Sequence, residues 1–499
     1  MNNIAVKGFM IDNLKWLVFA AIILAFLSIG AFKLDLRVVM DEPWLSVPGY
    51  TLITQGAFSI PSFKDTPEGY DKILFVPPLQ LLLLGAFFKM FGLGVVQGRL
   101  LSLIFGALTV FLTYLLAKQL YDERVALFAS ALLAADNYFF LVSRAIRGEI
   151  FVACFFLLSV YTLYIALKDG KAWLFMVSGV AIGLGILSHQ NALLGLLPLV
   201  LMFYLAGGLK MIFNKGLYLF FGGLFLIMLP YLIYLLYAGY YFGYISIWRQ
   251  LEMDARVLPI FSTAWLLASF KGEIFKRYAD FIYFPSRLHI ALIYFAALIY
   301  GFYRRSKSDV LLLTIVCSYV LLFYFLVVNK NVRYLVNFLP FVCILTSSVI
   351  FGIFEGGLVG RHKKMLPYLL IGFVIVSQLV GTLLFFVKYA DSGYNNYMRQ
   401  INTIVPAGAS VYGPITYWFG LYQHEYYAYQ RVTFPAARDR YKAQVFIVED
   451  KVPESYVNQT GGMKEYFARK GVLLGEVDNS FYGQTKIYRT SQGYKGNIK

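Results

Sequence analysis

Long apolar runs broken by short polar connections dominate the chain. A helix that crosses a membrane needs about 20 mostly apolar residues. Eleven runs meet or approach that length: 16–34, 100–119, 124–141, 150–167, 173–188, 192–209, 217–237, 288–303, 309–328, 335–354 and 366–388. Their connections alternate in charge. The N-terminal tail with Lys7 and Lys15, Lys118 to Arg124, Lys168 to Lys171, Lys210 to Lys215, Arg304 to Lys307 and Arg361 to Lys364 are short and basic. That is the signature of the cytoplasmic side. The other side receives 35–99, 143–149, 189–191, 238–287, 329–334 and everything after about 389. An odd number of crossings from a cytoplasmic N-terminus leaves the C-terminus outside, so crossing count and charge bias agree. The pattern predicts a mainly α, polytopic membrane protein.

Two outside segments are long. Within 35–99, amphipathic pieces near 43–56 and 77–92 are too short or interrupted to span and are expected along the membrane surface. The second segment, 238–287, is rich in Tyr, Phe and Trp and carries Arg249, Glu252, Asp254, Arg256, Lys271, Glu273, Lys276 and Arg277. It reads as an interfacial loop or lid. From about Asp391 the pattern changes. Ile401 to Val411, Gln444 to Val448, Val472 to Val477 and Thr485 to Tyr488 read as short strands, with Glu454 to Arg469 helical. This predicts a small α/β domain over 390–499, following a transmembrane domain over 1–389. The aromatic run Tyr412 to Tyr429 reads as domain core in preference to a sugar-stacking surface. Asn458 to Thr460 is a formal glycosylation sequon.

Composition agrees with the pattern. The 499 residues are 59% hydrophobic and only 14% charged, far from the quarter charged of soluble domains. The net charge of +17 belongs to loops on one face of a membrane and is not a nucleic-acid footprint. Cys154, Cys317 and Cys343 fall in apolar runs and form neither a disulfide framework nor a metal cluster. The dispersed histidines make no metal-spaced pair. Only His189 lies near an outer helix end, where a hydrogen-bonded structural role is the default.

Charges on the outer side carry the chemistry. An acidic pair, Asp41-Glu42, stands where the first span ends. Carboxylates there are expensive unless they face water or a polar cavity. Basic residues at the outer helix ends form a short list: Lys72 ahead of Pro77-Pro78, Arg99, Arg144 and Arg147 in Ser143 to Glu149 (SRAIRGE), and Lys330 and Arg333 in Asn329 to Tyr334 (NKNVRY). Single cations there read as snorkelling side chains on lipid headgroups. Two tight loops with two cations each, on the side where cations are disfavoured, read as a built anion site, because Arg grips phosphate through two parallel hydrogen bonds. An acid pair with a phosphate grip suits transfer of a group from a lipid phosphate to an acceptor hydroxyl.

On these residues the chain resembles the GT-C superfamily of integral membrane glycosyltransferases. It is most similar to the branch holding protein O-mannosyltransferases and the lipid A aminoarabinose transferase. The matching stretches are Asp41-Glu42, Tyr50 to Phe58, Pro77-Pro78-Leu79 with Phe91-Gly92, Arg99-Leu100, Ser143 to Glu149, and Arg333-Tyr334 before Pro340. They cover 15–200 well and 320–345 moderately. The resemblance implies a polyprenyl-phosphate-linked sugar donor and an acceptor hydroxyl on a lipid, glycan or protein, with catalysis at the outer face. Asp41 would serve as base beside Glu42. Arg144, Arg147, Lys330, Arg333 and Lys72 would serve the carrier phosphate, with Glu149, Tyr334 and His189 as further cavity residues. Two departures stand out: Val76 precedes Pro-Pro where relatives carry Lys or His, and Glu149 replaces an Asp. A divalent ion is compatible with the superfamily, but no ligand set is evident beyond Asp41, Glu42 and Glu149. The setting implied is a bacterial inner membrane, with membrane lipids as surroundings and no nucleic-acid partner.

A phosphate leaving group needs charge stabilisation more than protonation, and a single displacement inverts the anomeric centre. A lipid-linked glycan ligase or polymerase shares this donor chemistry. A flippase would show repeated, broken helices in matching halves, and the sequence has no such symmetry.

Overall fold

The computed structural model describes residues 3–63, 76–237, 262–283, 287–327, 331–355, 365–429, 432–450 and 460–490. Lys72, Lys330, the 238–261 part of the aromatic segment, and Asn458 of the sequon lie outside them. Each of the eleven apolar runs is helical. Among the described residues, seven helices are long and apolar enough to cross a membrane, or eight if a bent pair counts as one span, and Ala172–Ser188, Leu288–Arg304 and Leu339–Ile353 are shorter apolar helices. This is an integral membrane protein. Cys154 and Cys343 are buried, whereas Cys317 is exposed on its helix.

The chain divides into two compact units. One comprises Met1–Phe32, Pro77–Gln80 and Ser102–Leu384; the other comprises Lys33–Val76, Leu81–Leu101 and Phe385–Lys499. The first is the helical membrane unit. Its helices include α1 (Asn3–Ala31), most of α4 (Val95–Leu120), α5 (Glu123–Ala135), α6 (Asn137–Ser143), α7 (Gly148–Asp169), α8 (Ala172–Ser188), α9 (Leu196–Gly207) and α10 (Lys215–Tyr237). Small residues let α8 and α10 touch backbone to backbone. A Cβ on Gly179 would meet the Phe220 carbonyl at 1.8 Å, and one on Gly223 the Met176 carbonyl at 2.2 Å. Close approach through glycine replaces the hydrophobic driving force that lipid removes.

The run 124–141 is two helices. α5 and α6 meet at a 66° bend. Asp136 makes the break: its carboxylate accepts from the backbone N–H groups of Tyr138 and Phe139, capping α6 as a new helix. An apolar count sees one span because a single Asp barely lowers the average.

In the second unit, α2 (Asp41–Gln55) and α3 (Pro78–Phe91) cross at two glycines. A Cβ on Gly49 would lie 2.6 Å from the Leu81 carbonyl, and one on Gly85 2.6 Å from the Gly49 carbonyl. The same unit holds a five-stranded sheet of order β2-β1-β3-β5-β4. Its strands are β1 (Val411–Gly413), β2 (Tyr426–Ala428), β3 (Val445–Glu449), β4 (Gly471–Asn479) and β5 (Gly483–Thr490). β1 runs parallel to β2 and β3, while β5 is antiparallel to β3 and β4. Residues 401–404, expected in a strand, close helix Tyr394–Ile404 instead. Tyr394, Tyr397, Met398 and Ile401 are its buried positions, a helical spacing that a window opened at Ile401 misses. Within the expected helix 454–469, the described part is Met463–Lys470. The aromatic run is core: Tyr412, Tyr417, Trp418, Phe419, Tyr426, Tyr427 and Tyr429 are all buried. The first connecting segment belongs to this unit. The Tyr394 N–H donates to the Asp35 carbonyl at 2.7 Å, and the Tyr50 ring packs on Trp418 and Tyr422 at 5.7 and 5.6 Å.

Candidate functional site

Asp41 and Glu42 form the first turn of α2, where the exposed N–H groups of a helix start favour negative charge. Their surroundings then separate them. Glu42 is 0% exposed. Its carboxylate accepts from Arg99 through Nε at 2.7 Å and Nη2 at 2.6 Å, and from the Val39 N–H at 3.0 Å. The rest of the Arg99 guanidinium donates to the carbonyls of Leu34, Leu36 and Arg37, each at 2.7 Å. A planar, five-donor fork fits that set as Lys could not. Arg99 thus ties the chain leaving the first span to the start of α2. Asp41, next door, is half-buried.

The membrane unit gathers a second set. Between α6 and α7, Arg147 is the residue before the first turn of α7 and Glu149 lies within that turn. The Arg147 Nε stands 3.3 Å from both Glu149 oxygens, and the Arg333 Nε stands 3.9 Å from Oε1. Arg333 sits on a 3-10 turn, Val332–Asn337. Asn331 fixes it there by accepting from its backbone N–H at 3.1 Å and its Nε at 2.9 Å. His189 accepts the Asn191 N–H at Nδ1, which leaves Nε2 to carry the proton of the neutral ring. Burial pushes this imidazole below its ordinary range. Its ring is 5.7 Å from that of Tyr334. Gly148 permits the packing: a Cβ there would sit 3.0 Å from the Ser188 carbonyl, 3.1 Å from the His189 Cβ and 3.2 Å from the Gln80 Oε1.

Of the residues expected to act together, Arg147, Glu149, His189, Arg333 and Tyr334 are therefore neighbours. Arg144 is turned elsewhere: its Nη2 donates to the Phe32 carbonyl at 2.5 Å, and its guanidinium lies over the Phe140 ring. Lys72 and Lys330 lie outside the described residues. Among the described residues, no group of three or more His, Cys, Asp and Glu is placed to hold a metal ion.

The family model described as dolichyl-phosphate-mannose-protein mannosyltransferase matches residues 76–234. No curated protein matches the sequence. Among solved structures, ArnT from Cupriavidus metallidurans bound to undecaprenyl phosphate superposes with a TM-score of 0.60 at 13% identity, covering 97% of this chain and 99% of that one. The apo form gives 0.61 at 12%. The Archaeoglobus fulgidus oligosaccharyltransferase gives 0.55 at 15%, covering 94% of this chain and 73% of that one. This chain has the GT-C fold. Whole-chain shape thus agrees with the fold that the resemblance implies, and the family model matches one part of the chain. Arg99, Arg144, Arg147, Glu149 and His189 fall inside the segment that this mannosyltransferase family model matches, while Asp41, Glu42 and Arg333 fall outside it.

The GT-C membrane unit also holds charges that motif reading passed over. Arg277 is 1% exposed. It pairs with Glu273 at 2.9 Å, and its guanidinium lies 4.7 Å from the Phe323 ring centre. Phe323 in turn stacks on Tyr334. Arg287, fully buried, grips both oxygens of Asp136 at 2.7 and 3.0 Å and lies 3.9 Å from the Phe281 ring centre. Tyr294 completes the pair with a hydroxyl donated to Asp136 at 3.0 Å. Asp136 had its own signal in the sequence, because an ionisable residue inside a span marks a site or a buried partner by default. Arg277 and Arg287 had none beyond membership of a mixed-charge segment.

Proposed function

We propose that this GT-C protein transfers a sugar from a polyprenyl-phosphate donor to an acceptor hydroxyl at the extracytoplasmic face of a bacterial inner membrane, with inversion. The observation that carries the reading is the meeting of Arg147 and Arg333, from distant parts of the chain, at the buried carboxylate of Glu149. Glu149 holds the two guanidiniums in place, and their other N–H groups suit the oxygens of a departing lipid phosphate. Arg277 lies one aromatic layer away, its charge already met by Glu273. The ArnT structure of similar fold carries undecaprenyl phosphate, which supports a polyprenyl phosphate as the carrier.

Asp41 takes the proton of the acceptor hydroxyl as it attacks the anomeric carbon. Glu42, committed to Arg99, positions the helix start on which Asp41 stands. General-base assistance of this kind contributes about 10²–10⁴-fold. The bond from the anomeric carbon to the phosphate oxygen breaks as the new glycosidic bond forms, and the polyprenyl phosphate leaves as an anion.

The test uses protein in lipid nanodiscs with undecaprenyl-phosphate monosaccharides and a membrane extract as acceptor source, following release of undecaprenyl phosphate. Wild type is expected to release it from at least one donor. Asp41→Asn is expected to abolish release while donor binding persists. Arg147→Ala and Arg333→Ala are expected to weaken donor binding. Near-normal turnover by Asp41→Asn would remove Asp41 as base. Donor bound by wild type but never cleaved would overturn the transferase reading.

A further inference from the structure

Beside the charged cluster lie side-chain amides whose hydrogen-bonding capacity is unused among the described residues. Gln80, directly after Pro77-Pro78-Leu79, is 2% exposed, and its Nε2 has no partner. Its Oε1 approaches Gly148, immediately before Glu149. Asn191 is 7% exposed; its side chain lies near the Tyr334 hydroxyl, but its Nδ2 makes no hydrogen bond of good geometry. Its backbone is fixed from both sides, since its N–H donates to His189 Nδ1 and its carbonyl accepts the Tyr319 hydroxyl at 3.2 Å. Asn337 is 0% exposed; its Nδ2 donates to Tyr319 at 3.0 Å while its Oδ1 accepts nothing.

Buried polar groups are almost always paired, and a cluster of exceptions calls for a reason. Here the exceptions adjoin Glu149 and the His189–Tyr334 ring pair, and they come from three separate stretches of chain. A ligand that satisfied them would need several acceptors and donors on one compact frame and an apolar face for the rings. A sugar ring meets that description: its hydroxyls accept from amide N–H groups and donate to an amide oxygen, and its C–H face lies against aromatic side chains.

We propose that Gln80 and Asn191 are sugar-binding residues, contacting hydroxyls of the monosaccharide carried on the donor lipid, with Asn337 holding Asn191 in register through Tyr319. This rests on the donor class proposed above and adds to it a subsite that reads the sugar separately from the phosphate. A site built to hydrogen-bond a hydroxyl discriminates strongly against ligands lacking it, because its own groups are then left unpaired. The two amides therefore set which sugar is accepted, whereas Arg147 and Arg333 recognise the carrier whatever it bears.

The experiment measures binding of bare undecaprenyl phosphate and of undecaprenyl-phosphate monosaccharides to the full-length protein in nanodiscs. Wild type is expected to prefer one sugar-charged lipid over the bare carrier. Gln80→Ala and Asn191→Ala are each expected to weaken that sugar-charged lipid by about tenfold or more and to leave the bare carrier unchanged, which also reports that the variants are folded. Should an alanine variant lose both ligands, Gln80→Met and Asn191→Leu, which keep the volume, take its place in the same comparison. Arg333→Ala is expected to weaken both lipids together. The proposal is overturned if wild type does not distinguish charged from bare lipid, or if the variants keep the wild-type ratio. Release of undecaprenyl phosphate by wild type in the transfer assay stands apart from that ratio, so failure of the subsite and failure of the transferase reading are told apart.

Discussion

Replacing Arg99 by Ala strikes the clamp that seats the acidic turn. Glu42 would remain fully buried with only the Val39 N–H among its present partners described above. Removing one partner of a buried ion pair costs about 3–5 kcal/mol, because the surviving charge is left uncompensated. Counting bonds gives the same range: five donated hydrogen bonds disappear, each worth about 1 kcal/mol net. The loss is local, so it is best read by hydrogen exchange of the amides from Leu34 to Ser46. A cost of 3–5 kcal/mol corresponds to exchange faster by about two to nearly four decades. Turnover is expected to fall by about 10²-fold, since a displacement of about 1 Å at a catalytic group has that effect. The double substitution Arg99→Met, Glu42→Met removes the uncompensated charge and is expected to recover part of the protection, while the carbonyls of Leu34, Leu36 and Arg37 still lack the Arg99 donors. Wild-type exchange in Arg99→Ala, or a double variant no better protected than the single, would refute this account of the clamp.

Three further outcomes are expected. Arg287→Met leaves Asp136 charged at the α5–α6 break and is expected to cost about 3–5 kcal/mol, seen as earlier thermal aggregation in detergent; unchanged aggregation would mean that the pair does not hold the bend. Gly179→Leu, whose first side-chain atom would lie 1.8 Å from the Phe220 carbonyl, is expected to abolish a monodisperse chromatographic peak, whereas Gly222→Leu, with nothing within 4 Å, is expected to preserve it. In the sheet domain, burial pushes the Glu449 carboxyl above its ordinary value of 4.5, although Tyr417 and Tyr429 donate to it. A raised carboxyl favours the fold below its ordinary value and loses that contribution as pH rises through the raised one. Glu449→Gln is therefore expected to resist pulse proteolysis in urea better than wild type at pH 7 and equally at pH 4; a variant weaker than wild type at pH 7 would contradict the sign.

Apolar periodicity was sufficient for the membrane helices, because lipid admits only segments that satisfy their own backbone hydrogen bonds. The same logic exposed Asp41, Glu42, Arg147, Arg333 and Glu149, since charges at helix ends on the cation-poor side carry a cost that needs a reason. What lay beyond reach was pairing at long range. Nothing local separates Asp41 from Glu42; only the arrival of Arg99, 57 positions along the chain, commits one carboxylate and leaves its neighbour differently placed. Nothing local shows that Arg144 turns to Phe32 while Arg147 turns to Glu149. Asp136 was visible as a charge within a span, but its partner Arg287 comes from a loop 151 positions away, and the bend between α5 and α6 follows from that carboxylate's capping bonds. Gln80, Asn191 and Asn337 were silent for the same reason: an amide in a sequence becomes informative only when folding buries it and the surrounding side chains either meet its hydrogen bonds or leave them open.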